Sequence, residues 1–250
     1  MEAATHDEPV TGTARIAPAS VAAMYQLDDA RLAEVMCLDR AEAVRVPGQK
    51  RAFDVGLAAA ALLALSPVFV LVLIAELLDA LLAPADRGRP LYLETRVSGG
   101  RPFQLRKFRI MRAPAIRAIR EEGMVPKVAE NTPGNLTAVG VVLKKTGLDE
   151  LPQFWSILTG EMSFVGPRPK PVAEYRVEID AGIRRRAVIG AGLTGPAQLL
   201  KGTQRSAGDE LLADLRYIHF VRTASGWRVL AKDLSLTWRT MLLMLKTTGE

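Results

Sequence analysis

The stretch "VGLAAAALLALSPVFVLVLIA", residues 55–75, carries no charge. Its length is close to the ~20 residues that a bilayer-spanning helix needs. Ser66-Pro67 sits near its middle. A proline there removes a backbone hydrogen bond and bends the helix. A serine beside it can satisfy the carbonyl so freed. Arg45, Lys50 and Arg51 precede the stretch, and Arg87, Arg89, Arg96, Arg101, Arg106, Lys107 and Arg109 follow it. Basic residues favour the cytoplasmic side of a membrane. A straight span would export one of these clusters, whereas a helix that enters, bends at Ser66-Pro67 and returns keeps both inside. The re-entrant form is therefore expected, with a straight span and a buried core helix as the alternatives. Asp54 and Glu76 bracket the run and are expected at the interface.

The formal charge of +6 and pI of about 9.7 point to an anionic partner: nucleic acid, anionic lipid or phosphorylated substrate. Cys37 is the one cysteine, so an internal disulfide is excluded. His6 and His219 lie far apart in the chain, which argues against a histidine metal site and a Ser-His triad. A metal would have to be a hard, oxygen-bound ion such as Mg²⁺. No cleavable signal peptide is expected. Residues 1–20 read as disordered, and residues 21–45 as one helix with Val21, Met24, Leu32 and Val35 on its apolar side.

Two further stretches suit a membrane surface. In "RVLAKDLSLTWRTMLLMLK", Leu230, Leu234, Trp238, Met241 and Leu245 recur at helical spacing. Arg228, Lys232, Arg239 and Lys246 would reach headgroups, and Trp238 suits the interfacial belt. "FRIMRAPAIRAIREEG" mixes Ile110, Met111, Ile116 and Ile119 with arginines. An ordinary core-facing amphipathic helix is the alternative for each.

"KKTGLDELPQFWSILTGEMSFVGPRP", residues 144–169, sets Asp149 beside Glu150. Thr146 to Asp149 has the spacing of a capping box. A helix starting there would carry Pro152 in its second turn, so a start near Pro152 is expected instead, with the carboxylates just before it. Two such carboxylates could hold Mg²⁺ against a phosphate, or one could attack phosphorus. Lys144 and Lys145 would offset their charge. Arg168, held between Pro167 and Pro169, suits a positioned guanidinium gripping phosphate. A solvated charge cluster and a surface turn are the plain alternative.

These blocks, with "RPFQLRKFRIMR" and "AGLTGPAQ", closely resemble the bacterial sugar transferases that start glycan assembly on a lipid carrier, the monotopic phosphoglycosyl transferases. The resemblance runs from about Lys50 to Lys246. It implies transfer of a sugar 1-phosphate from a UDP-sugar to a polyprenyl phosphate such as undecaprenyl phosphate. It implies Asp149 as a nucleophile forming a covalent phosphosugar, and Glu150 as metal ligand or proton acceptor, in a Mg²⁺-dependent site held by both carboxylates. It implies phosphate binding by Arg168, and, through "ADLRYI", places Asp214 and Tyr217 near the site. The location implied is the cytoplasmic face of the bacterial inner membrane, in exopolysaccharide, capsule or other glycan assembly.

The sequence departs from the family pattern at four places. Lys144 stands where a phosphate-gripping arginine is usual, five residues before the aspartate, and is expected to bind phosphate in its place. Gly147 replaces the usual serine. "LETRVSGGRPF" is one residue shorter than its counterpart, and Arg205 is the nearest candidate for an arginine usually found after the Ala-Gln block. The expected fold class is α-rich α+β. Residues 1–49 form an N-terminal extension, 50–80 the re-entrant helix, and 81–250 a cytoplasmic catalytic domain with interfacial amphipathic helices. A non-catalytic member that binds a lipid phosphate or a partner enzyme is the second reading. A nucleic-acid partner is not expected, since no aromatic-basic patch matches a known module. Homo-oligomerisation stays open.

Overall fold

The computed structural model describes residues 18–200 and 206–247. It is helix-rich with short strands. Helices α1 (Pro18–Tyr25) and α2 (Asp29–Leu38) precede α3 (Gly48–Ala64) and α4 (Ser66–Leu82). Strands β1 (Leu91–Ser98) and β2 (Arg101–Phe108) lead to α5 (Ala113–Glu121), α6 (Pro126–Asn131) and α7 (Ala138–Thr146). Then come α8 (Gln153–Thr159), β3 (Met162–Val165), β4 (Lys170–Pro171), α9 (Val172–Asp180) and α10 (Arg185–Val188). Strand β5 (Ala191–Thr194) is followed by the long helices α11 (Ala207–Thr223) and α12 (Gly226–Thr247). The described residues fall into two compact units, one of residues 58–93 and 105–155, the other drawn from 1–57, 94–104 and 156–250.

The apolar stretch is broken where the sequence places the break. Helices α3 and α4 meet at an angle of 55°. Proline 67 has no N–H to give to the carbonyl of Leu63, four residues back. The Ser66 hydroxyl donates to that carbonyl instead, at 2.8 Å. Among the described residues, no single helix is long and apolar enough to cross a membrane, but this bent pair passes the same test together. Much of α4 has no protein cover: Leu71 is 65% exposed and Leu82 is 86% exposed.

The bracketing carboxylates are not at a surface. Asp54 is buried and accepts from the Phe164 N–H at 3.0 Å, and Glu76 is buried too. Several flanking cations are also internal. Lys50 is 1% exposed and donates to Asp233 at 2.6 Å. Arg51 donates to the carbonyls of Ile157 and Leu158 at the end of α8. These charges hold the fold together, so only the exposed flank residues, such as Arg45, Arg87 and Arg89, can act as topological signals.

In the unit of residues 58–93 and 105–155, Val72 of α4 packs with Phe108, Ile110, Met111, Ala115, Leu143 and Leu151. The rings of Phe69 and Phe108 lie 5.3 Å apart. Ile110 and Met111 sit before α5 rather than on it, and Ile116 and Ile119 pack on this core. The core-facing reading of that amphipathic stretch is therefore the right one. On α12 some of the apolar residues at that spacing are left uncovered. Leu234, Trp238 and Met241 are exposed, Leu230 is half-buried, and Val229, Asp233, Leu236 and Thr240 face inward. The side chains of Leu245 and Lys246 lie outside the described residues.

In the other unit, residues 21–45 form two helices rather than one. The chain turns at Gln26, whose φ is 51°. Asp28 then caps α2 by accepting from the Arg31 N–H. Val21 and Val35 are fully buried, while Met24 is exposed. Of residues 1–20, read as disordered, 18–20 instead open α1, and 1–17 lie outside the described residues. Strands β3 and β5 pair in parallel, with Ser163 opposite Gly192. A Cβ on Gly192 would stand 2.1 Å from the Gly166 nitrogen, so "VGPRP" and "AGLTGP" approach as closely as they do only because both positions are glycine. Gly99 and Gly100, both with positive φ, join β1 to β2, and β1 pairs antiparallel with β4.

Candidate active site

Thr137 caps the start of α7, accepting from the Gly140 N–H at 2.8 Å. The helix ends at Gly147, which takes the left-handed conformation with φ 72°. Glycine adopts this at no steric cost and stops helices for that reason. Thr146 is still helical, and its hydroxyl donates back to the Val142 carbonyl. It therefore caps nothing ahead of it. Leu148–Glu150 form one 3₁₀ turn, and α8 begins just after Pro152. The carboxylates thus precede a helix that starts where proline permits.

Asp149 is 8% exposed. Burial pushes its carboxyl up to about 6; Lys107 opposes the shift, and Glu150 and Glu130 add to it. Lys107 Nζ lies 3.1 Å from Glu150 Oε1 and 3.9 Å from Asp149 Oδ2. The neighbouring Phe108 is buried in the core, which anchors this end of β2. The carboxylates and the lysine belong to one unit.

Sequence reasoning passed over Lys107, counting it only as a flanking charge. The signal was in "RKFRIMR", where a cation precedes a core phenylalanine. Lys144, expected beside the pair, is engaged elsewhere. Its Nζ donates to the Glu130 carbonyl at 2.8 Å and to Asn131 Oδ1 at 3.0 Å, at the end of α6. It satisfies carbonyls that a helix end leaves open.

Arg168 belongs to the other unit. Its side chain is exposed, while Pro167 and Pro169 on either side are buried. Two arginines grip the backbone around it: Arg186 Nε donates to the Arg168 carbonyl at 2.8 Å, and Arg96 to that of Pro169 at 3.3 Å. A cavity of 190 Å³ is lined by Arg96, Arg168, Lys170 and Arg186, with Glu174, Glu210 and Asp214 among its acids. Asp214 thus shares a pocket with Arg168. Tyr217 does not line it; its buried hydroxyl donates to Asp233 Oδ1 at 2.7 Å, and that carboxylate also takes Lys50. Arg205 lies outside the described residues.

A buried ionic cluster supports this pocket. Glu178 accepts from Arg185 at 2.8 Å, from Arg186, and from the Tyr25 hydroxyl at 2.7 Å. Arg185 also donates to Asp214 at 3.0 Å. Burial would raise the Glu178 carboxyl, but Arg185 and Arg186 outweigh it and hold the group well below its usual range. Burial pushes the Tyr25 phenol far up, so it stays a neutral donor. The cluster was not foreseen, although "GIRRRAV" showed the cations; the acid comes from α9 and the phenol from α1. Tyr25→Phe removes one bond to Glu178 but leaves both arginines in place. It should cost about 1–2 kcal/mol of stability in urea unfolding, the low end for a hydrogen bond to a charged group.

Among the described residues, no group of three or more Asp, Glu, His or Cys side chains gathers for a metal. Mg²⁺ commonly takes only one or two carboxylates and fills its shell with water and substrate phosphate. Asp149 and Glu150 fit that mode, because one lysine faces two carboxylates and a cation would relieve the buried charge.

The chain belongs to the bacterial sugar transferase family, whose model matches residues 46–247. It is 34% identical over 213 residues to the exopolysaccharide production protein ExoY of Sinorhizobium fredii, covering 80% of this chain and 87% of that one. It is 38% identical over 216 residues to the UDP-glucose:undecaprenyl-phosphate glucose-1-phosphate transferase of Caulobacter vibrioides, covering 82% and 72% respectively. The Escherichia coli protein of the same name matches at 38% over 154 residues, which is 60% of this chain and 30% of that protein. Helices α1 and α2 precede the matched region. The match places this chain among the sugar-transferring enzymes.

Proposed function

We propose that this enzyme transfers a sugar 1-phosphate from a UDP-sugar to a polyprenyl phosphate such as undecaprenyl phosphate, initiating exopolysaccharide, capsule or other glycan assembly. The observation that carries the reading is the Asp149-Glu150 pair, with Asp149 buried and Lys107 beside it. An Asp149 oxygen attacks the phosphorus that carries the sugar. The bond from that phosphorus to the bridging oxygen breaks, and UMP leaves with the electron pair. An oxygen of the polyprenyl phosphate then attacks the same phosphorus and releases the Asp149 carboxylate. Such splitting of one transfer into two is the use of a covalent nucleophile. Lys107 offsets charge at the pair throughout, and positioned charge is what phosphoryl transfer chiefly requires. Asp149 and Glu150 would hold Mg²⁺, which when bound neutralises phosphate charge. Arg168 binds phosphate in the pocket it shares with Asp214.

The location we propose is the cytoplasmic face of the bacterial inner membrane. The bent pair α3–α4, the exposed apolar residues of α4 and the exposed Trp238 face of α12 support it. The departures at Lys144 and Gly147 do not favour a non-catalytic member, because Lys144 serves α6 and Gly147 ends α7. UMP release on undecaprenyl phosphate, measured across a panel of UDP-sugars, tests the activity. Release with none of them would remove the proposal.

Topology has its own test. Ser20→Cys and Thr248→Cys, each in a Cys37→Ser background, should both resist an impermeant thiol reagent applied to intact cells. Labelling of one end alone would mean a true span. Pro67→Leu returns an N–H to the Leu63 carbonyl, so it should straighten the pair and shift one end toward labelling.

A further inference from the structure

A second cavity, of 390 Å³, lies within the unit of residues 58–93 and 105–155. Arg87, Arg89, Arg109, Arg117 and Arg120 line it, and among the described residues no carboxylate does. Asp149, Glu150 and Lys107 are not among its walls. Five guanidinium groups around one space repel one another and favour an anion between them. Arg89, Arg117 and Arg120 are exposed and form no ion pair with any described carboxylate.

Arg109 is the informative member. It is 4% exposed, and its Nη1 donates to the carbonyls of Asp86 and Met111 at 2.9 and 3.2 Å. Its Nε has no hydrogen-bond partner among the described residues. The buried Glu76 of α4 faces the Arg109 charge and its backbone N–H, but among the described residues no Glu76 oxygen accepts from the Arg109 side chain, so it does not satisfy that N–H. Gly88, in the cavity wall, lies beside the group; a Cβ there would stand 3.7 Å from Nε. A buried donor without an acceptor costs stability, and a phosphate oxygen would remove that cost.

The remaining wall is apolar, with Leu91, Leu93 and Ile116. Arg87 Nε donates to the Ala80 carbonyl at 3.1 Å, which ties the rim to the end of α4. Leu77, Leu78, Leu81 and Leu82 stand exposed on that end. Cations and uncovered apolar surface therefore meet at one place. A free phosphate would use only the first, whereas a lipid phosphate uses both.

We propose that this cavity binds the phosphate head of an anionic phospholipid, at a site separate from the carboxylate pair. The idea rests on the membrane part of the proposed function, not on its chemistry. The full chain in neutral detergent is mixed with dioleoyl-phosphatidylglycerol or dioleoyl-phosphatidylcholine, and bound lipid is counted by native mass spectrometry. Wild type should retain the anionic lipid at least about tenfold better, as one or two charge-assisted bonds imply. Arg117→Gln/Arg120→Gln should lose that preference. Lys127→Gln/Lys145→Gln removes the same charge from exposed positions of the same unit and should keep it within about twofold. An unchanged preference in the arginine variant would overturn the site, as would an equal loss in the lysine variant. Displacement of the phospholipid by an equal concentration of undecaprenyl phosphate would also overturn it, since the cavity would then take the acceptor. UMP release in detergent should be unchanged in the arginine variant. Lipid preference without any UMP release from wild type would leave this site standing and remove the proposed reaction alone.

Discussion

Asp149→Asn is expected to abolish turnover and to leave no phosphosugar trapped on the protein. The amide keeps the size of the carboxyl but cannot attack phosphorus, so the first half-reaction stops. Wild type should release a burst of UMP, stoichiometric with enzyme, before any lipid acceptor is added, and the variant none. Stability separates this from a folding defect. Burial raises the Asp149 carboxyl to about 6, with Lys107 only partly opposing it. A carboxyl whose folded value lies above its unfolded value destabilises the fold once it is ionised. That penalty is absent below the unfolded value and grows as pH rises through the folded one. Asparagine removes it, so with metal chelated at pH 7.5 the variant should match or exceed wild type in stability. The gain is at most on the order of 1–3 kcal/mol. A folded Asp149→Asn protein that kept wild-type turnover would remove the nucleophile assignment.

What could be read from sequence was set by local covalent chemistry. Pro67 has no N–H, so a break there followed from sequence, and Ser66 closes the gap it leaves. Pro152 fixed where α8 could begin, and that in turn put Asp149 and Glu150 ahead of it. The helix-rich class followed from the family resemblance, and the apolar spacing of α12 from periodicity. What escaped was long-range. Lys107 reaches Glu150 across 43 positions, and Tyr25 reaches Glu178 across 153. No spacing rule links such residues, because the fold brings them together. The same limit explains the misplaced charges. Asp54, Lys50 and Arg51 read as solvated flanks from sequence, yet each has a hydrogen-bond partner more than a hundred residues away. Buried ions need partners, and sequence shows the ions without showing which partners meet them.

Lys107 and Lys144 make opposite forecasts, and the pair of substitutions decides between them. By sequence pattern, Lys144 occupies the position of a phosphate-gripping arginine, and its loss should be severe. By geometry, Lys107 is the cation at the carboxylates, 3.1 Å from Glu150, while Lys144 serves the end of α6. Lys107→Met keeps much of the side-chain bulk but removes the charge. It leaves Asp149 and Glu150 facing each other without that cation, which disfavours an ionised Asp149 and weakens charge stabilisation during transfer. A charge-assisted bond contributes about 1.5–3 kcal/mol, so kcat/KM should fall by about 10- to 150-fold. Lys144→Ala should stay within about threefold, with a small loss of stability as the α6 carbonyl passes to water. Lys107→Arg keeps the charge and should recover part of the loss. UMP-release kinetics on the folded variants reads all three. Equal losses at Lys107 and Lys144 would point to a diffuse field over the site. A severe loss at Lys144 alone would mean that the position keeps the role of the family's arginine despite its contacts on α6.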